Sequence, residues 1–289
     1  MMKKTMAIGV MALAMGVVLP SVGDDFLINT AIACEEGREA EQGTPGGIPY
    51  SKVIAYNSGI INERIHSYVD GKLLMDAQTY SVTLAPEEIG KYPVLQAALE
   101  KLTEENHQNM LNKLVSWQPD LQELYKHGKD NGMYQENVPF AYELTYSGQR
   151  ADSTVFSCVG TEYVFLGGAH PVTYYKGVVI DSESGKRLKL QDVLKTTDGF
   201  AEIVAKETEK EILDRHIPMD RITLVNNIQK LIDDQNLQFA LTADGMKVLF
   251  GSYAMGIYAY GTFEIDIPQA EYFNICNPKY IFYGNRPRG

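Results

Sequence analysis

A pair of glycines set between two apolar runs places the strongest constraint on this chain. Gly167-Gly168-Ala169-His170 follows Tyr163-Val164-Phe165-Leu166 and precedes a second strand-like run from Tyr174 to Ile180. Glycine opens positive φ, or a close approach, to the backbone, so the stretch predicts a bend that joins two neighbouring strands. His170 has the most unusual setting of the five histidines. Two roles are open to it: donating to a ligand at a glycine-lined lip, or capping the bend by bonding to backbone.

The N-terminus carries Lys3 and Lys4 and then 14 apolar-rich residues from Met6 to Leu19, ending at Pro20. A spanning helix needs about 20 apolar residues, so this run reads as a signal-peptide core. Small residues suit a signal peptidase at Ser21-Val22-Gly23 and at Ala31-Ile32-Ala33. The second site would leave Cys34 first, a candidate for lipidation, although Ala31 stands where a lipobox prefers Leu. A lipid at Cys34 would be the one route to a membrane.

Residues 1–33 contain two basic and two acidic side chains, so the net charge of −11 belongs to the part that folds. An acidic surface disfavours nucleic acid, whose binding depends on Lys and Arg neutralising phosphates, and it attracts cationic partners. Removing 33 of 289 residues leaves 256, enough for one large or two ordinary domains. With Cys34 set aside, Cys158 and Cys276 are either a disulfide pair in an oxidising compartment or two buried free thiols.

Residues 34–50 are rich in Glu, Gly and Pro and read as a flexible leader. Lys52 to Leu84 alternates apolar and polar residues around Asp70-Gly71, a hairpin turn. Pro93 opens an amphipathic helix with Leu95, Leu99, Leu102, Leu111 and Leu114 on one side; Pro119 is expected to stop it and Gly128 to close a short second helix. The polar stretch from Lys129 to Asn137 is the expected boundary between an N-terminal domain at 51–137 and a C-terminal domain at 138–289.

Beyond it, Phe140 to Tyr146, Thr154 to Cys158 and Glu162 to Leu166 predict three neighbouring strands. Asp181 and Gly185 predict a structural turn, through an Asx side chain and a left-handed glycine, after which Lys186 to Leu190 resumes a strand. Helical spacing returns from Phe200 to Ile212, with Asp198 the expected N-cap, and again from Ile222 to Ile232. Asp244-Gly245 joins two further strands, and a last one runs from Phe263 to Pro268. Strands, then helices, then strands without a repeating βαβ signal predict an α+β fold: mainly antiparallel sheets with a few packed helices, in two subdomains.

The chain names no chemistry. Its histidines are too scattered for a local metal motif, a Gly-x-Ser-x-Gly elbow is absent, and the paired glycines lack the Lys and Ser or Thr of a phosphate loop. No catalytic residue, metal or cofactor is expected. Tyr253 and Tyr258, with Tyr260 beside them, are candidates for an exposed aromatic surface; a Tyr-rich strand pair packing on its own sheet is the plainer alternative.

Gly167 to His170, Asp181 with Gly185-Lys186, Leu188 to Asp192, Gly251 to Gly261 and Ile265-Asp266-Ile267-Pro268 occur in the order of a known family. Over about residues 150–275 the chain resembles the domain-of-unknown-function family 3298, the C-terminal domain of lysozyme-sensing anti-sigma factors, also found in exported polysaccharide deacetylases. Arg150, Asp152 and Ser157 fit the segment before its glycine pair, and the upstream region is similar to the usual companion domain. The resemblance implies an exported α+β binding module recognising a lysozyme-like basic protein or a cell-wall glycan. The export signal leaves no cytosolic segment to hold a sigma factor, and no deacetylase catalytic domain is recognised. A hydrolase or deacetylase of envelope polymers and a purely structural envelope module are the alternatives.

Overall fold

The structure, a computed structural model, describes residues 51–127 and 138–284. The expected signal peptide, the leader, Cys34 and Gly128 lie outside the described residues. Among those described, eight strands form two mostly antiparallel sheets with packed helices, the α+β architecture expected.

Strands β1 (Tyr56–Val69) and β2 (Lys72–Leu84) form the first hairpin. Asp70 (φ 52°) and Gly71 (φ 73°) both take positive φ at its turn, as two-residue hairpin loops favour. Helix α1 (Pro93–His127) then leads to β3 (Phe140–Ala151), β4 (Val155–Phe165) and β5 (Val172–Asp181). The five strands make one sheet in chain order, with β2 and β3 parallel and the other neighbours antiparallel. A parallel pair needs a long crossover, which α1 supplies. The expected boundary at 129–137 lies outside the described residues; Met75–Thr79 pair with Phe140–Leu144 in the same sheet.

Helix α1 runs through Pro119 where the sequence suggested a stop. Pro119 and Val115 lie on the exposed side, where water can take the carbonyl that proline frees, while Leu121 and Tyr125 keep the far end buried. Its buried stripe is Leu95, Leu99, Leu102, Asn106 and Met110, and Asn106 donates to the Tyr146 hydroxyl at 2.7 Å.

Three strands were expected between Phe140 and Leu166, and there are two. β4 runs unbroken through Gly160 because it is buried on both faces, which hides the period-two signal. Phe156 and Cys158 face the α1 core, while Val155 and Val159 pack toward the second half of the chain.

The second half has short α2 (Leu190–Val193), α3 (Phe200–Asp214) and α4 (Arg221–Asp233), then a meander of β6 (Gln238–Leu241), β7 (Gly245–Phe250) and β8 (Phe263–Pro268). The strand expected at Lys186–Leu190 is only a bridge between Arg187 and Ile180. Leu190 and Val193 enter the core as helix instead, with the Lys189 N–H donating to the Asp192 carboxylate at 2.9 Å. Gly199 (φ 74°), not Asp198, occupies the N-cap of α3, while the Asp198 N–H is held by the Thr196 hydroxyl.

The two sheets meet at β5 and β6. The Leu241 N–H donates to the buried Ser157 hydroxyl at 2.8 Å. A Cβ added at Gly177 would lie 2.0 Å from the Phe239 carbonyl oxygen, so glycine alone allows this approach.

Candidate functional site

The β4–β5 hairpin ends in Gly167 (φ 88°) and Gly168 (φ 83°), both in the left-handed half of conformational space. The bend sends His170 into solvent, and the 251–262 loop between β7 and β8 rises beside it. The His170 imidazole lies on the Tyr258 ring with centroids 4.6 Å apart and planes 11° from parallel. Tyr253 leans against the other ring at 5.6 Å and 49°. The structure thus gathers Gly167, Gly168, His170, Tyr253 and Tyr258 into one lip. The alternative role for His170, a backbone cap of the bend, has no counterpart among the hydrogen bonds of the described residues.

Several contacts fix the 251–262 loop to the sheet. Thr173 N–H donates to the Ser252 hydroxyl at 3.1 Å, and Ser252 N–H donates to the Thr173 carbonyl at 2.8 Å. Met255 is buried in the core at 2% exposure, while Tyr253 beside it is 53% exposed. Arg215 donates to the carbonyls of Tyr260 and Thr262 at 3.1 and 2.9 Å, its guanidinium 4.1 Å from the Phe263 ring centroid. Sequence reasoning missed Arg215 and Ser252, because each acts on backbone far away in the chain. Tyr260 packs half-buried on the core and contributes little to the lip.

The two segments that form the lip, residues 166–175 and 251–263, contain no Asp, Glu, Lys or Arg of their own, in a chain whose net charge is −11. Arg215 reaches the 251–262 loop from the end of α3.

Asp181 accepts from the Ser184 N–H and hydroxyl, both at 2.9 Å, from the Tyr280 hydroxyl at 2.9 Å, and pairs with Lys279 at 2.7 Å. Burial opposes its ionisation, but Lys279 and the donors outweigh that and hold its pKa down to about 2. Gly185 (φ 68°) closes the turn. Nearby, Arg150 donates to Asp152 at 2.7 Å and to the Tyr280 carbonyl at 2.9 Å, both side chains buried. A register shift between Gly148 and Arg150 sets Arg150 opposite Ser157.

Cys158 and Cys276 are free and buried, which corrects the disulfide alternative. They belong to different cores, Cys158 beneath α1 and Cys276 beside Val193. Burial pushes the Cys158 thiol up to about 12 and the Cys276 thiol up to about 11.

A deeply buried acid of β4, Glu162, meets Lys113 of α1 and Lys176, the latter at 2.9 Å. Burial would raise its pKa, yet the two lysines leave it below the ordinary value, so at neutral pH it is a carboxylate without a proton to give. Among the described residues, no three of His, Cys, Asp and Glu gather so as to hold a metal ion. No helix among them is long and apolar enough to cross a membrane.

Residues 191–270 match the model of a family described as a protein of unknown function, DUF3298. Residues 86–173 match the family described as Deacetylase PdaC. The chain carries a DUF3298 domain preceded by a PdaC-type domain. A DUF3298 protein from Bacteroides fragilis superposes with a TM-score of 0.52 at 13% identity, covering 80% of this chain and 96% of that one. Another DUF3298 protein, from Pseudomonas aeruginosa, gives 0.49 at 16% identity, covering 78% and 96%. The first likeness shows the shared fold. No curated protein matches the chain by sequence.

The DUF3298 match begins at 191, later than the 150 the sequence resemblance suggested. Arg150, Asp152 and Gly167–His170 lie in the PdaC-matched segment, and Tyr253 and Tyr258 in the DUF3298-matched one. The lip is built from both.

Proposed function

We propose that this protein is an exported cell-envelope module that recognises wall glycan through the lip of His170, Tyr253 and Tyr258. One observation carries the reading: an exposed aromatic cluster without a formal charge, on a strongly acidic chain. Aromatic faces receive the apolar C–H face of a sugar ring, and the Tyr hydroxyls and imidazole nitrogens supply hydrogen bonds at their edges. A lysozyme-like basic protein would be drawn to carboxylates, and the lip offers none. The export signal and the PdaC-type segment support an extracytoplasmic setting.

The test is retention on insoluble wall glycan together with calorimetry against soluble wall oligosaccharides. Tyr258→Ala is expected to weaken binding roughly tenfold, the scale of a central aromatic contact, and added salt to change it little. Binding to lysozyme that moderate salt abolishes would overturn the glycan reading. Acetate release from acetylated wall material that is lost in His170→Ala would replace it with a deacetylase. A His170→Ala protein that is less stable but binds glycan equally well would leave only a structural module.

A further inference from the structure

Away from the lip, a cavity of about 330 Å³ opens at the seam between the two sheets, a size within the small-molecule range. Its floor is apolar, formed by buried Leu188, Leu190, Ile232, Leu237 and Phe239. Its rim carries Arg187 and Lys189 and the amides of Gln191, Gln235 and Gln238. No carboxylate lines it, although the chain has 37 acidic residues.

Both cations are held in place by neutral acceptors. Arg187 Nη2 donates to the Gly177 carbonyl at 3.2 Å, and Lys189 Nζ donates to Gln235 Oε1 at 2.9 Å. The nearest acids along the chain are engaged elsewhere, Asp192 by Lys186 at 2.5 Å and by the Lys189 N–H, and Glu183 by Lys279 at 2.9 Å. Gln238 is also fixed, its Oε1 accepting from the Gly177 N–H at 3.1 Å and its Nε2 donating to the Asn236 carbonyl at 3.1 Å. Among the described residues, Arg187 and Lys189 form no ion pair, and only Lys189 acts at longer range on a carboxylate, that of Asp192, so both cationic heads are open to a ligand at the mouth of an apolar cavity.

We propose that this cavity binds a small N-acylated apolar amino acid, the chemistry of a peptide's C-terminal residue. The carboxylate meets the free edge of the Arg187 fork and the Lys189 ammonium, the planar geometry a guanidinium suits. The amide meets the glutamine rim, and the apolar side chain covers Leu188, Ile232 and Phe239. The site is independent of the aromatic lip and shares no residue with it.

Titration of the full chain with N-acetyl-leucine, followed by amide chemical shifts, is expected to move Gly177, Leu188 and Gln238 saturably. N-acetyl-leucinamide, which lacks only the negative charge, should bind about tenfold more weakly. Lys189→Gln touches one exposed neutral contact, so it should weaken the acid by a similar factor without lowering Tm. Arg187→Gln should do the same, and a drop in its Tm leaves Lys189→Gln to decide. Equal binding of acid and amide, no saturable shift at millimolar acid, or inorganic phosphate competing as well as the acid would each overturn the assignment.

Discussion

The imidazole of His170 lies flat on the ring of Tyr258, 4.6 Å between centroids, and the two residues come from segments that match different families. The contact joins the tip of the β4–β5 hairpin to the β7–β8 loop. It gives the lip an aromatic surface that neither segment provides alone.

An imidazole stacked on a phenol ring sits in that ring's shielding cone. We expect the His170 ring protons to resonate upfield of those of exposed His216 and to move downfield in Tyr258→Ala. Unchanged His170 shifts in that variant would show the rings apart in solution.

Asp181 supplies a pH signature. Its folded pKa of about 2 lies below the ordinary carboxylate value of 3.8, so the native state binds its proton less tightly than the unfolded chain does. The contribution is therefore complete above about pH 5 and disappears as pH falls through the folded value. It amounts to about 2 kcal/mol at neutral pH. Asp181→Asn should lower Tm at pH 7 and converge with wild type near pH 2; a gap that stays constant with pH would exclude the linkage.

Arg150 and Asp152 are both buried, so losing one partner strands the other's charge. Asp152→Ala should cost about 3–5 kcal/mol and also frees the Thr154 and Val155 N–H groups that Asp152 holds at 2.8 and 2.9 Å. Adding Arg150→Met should recover part of the loss. Urea unfolding of the single and double variants reads both effects.

Thiol chemistry follows burial. Cys158 and Cys276 have pKa values pushed up to about 12 and 11, and a thiol reacts as its thiolate. A thiol-specific chromophoric reagent should label neither in the native protein and both in denaturant. Rapid native labelling of Cys276 would show that its end of the core opens.

The sequence carried the elements that obey a local rule. Asp70-Gly71 and Asp244-Gly245 mark their hairpins, and Asp181 with Gly185 marks a turn, because each signal acts over four or five residues. Elements whose rule is tertiary escaped. β4 lost its alternation by being covered on both sides, and α1 passed Pro119 where Pro119 and Val115 lie on its exposed side. The paired glycines announced the bend, and the tyrosines announced an aromatic loop. That Tyr258 would come to rest on His170 depends on how the β6–β8 meander docks, which no local spacing encodes. The cavity beside Arg187 arises in the same way, from a seam between distant strands.

That seam also fixes how the molecule responds to load. With the Gly177 backbone against that of Phe239, too close for even a methyl group, no side chain separates the two backbones at that point, while around it Val159, Ala240 and Leu249 pack between the sheets. Any sideways shift of one sheet past the other would drive the Phe239 carbonyl into the Gly177 backbone, so this joint tolerates a glycine and nothing larger.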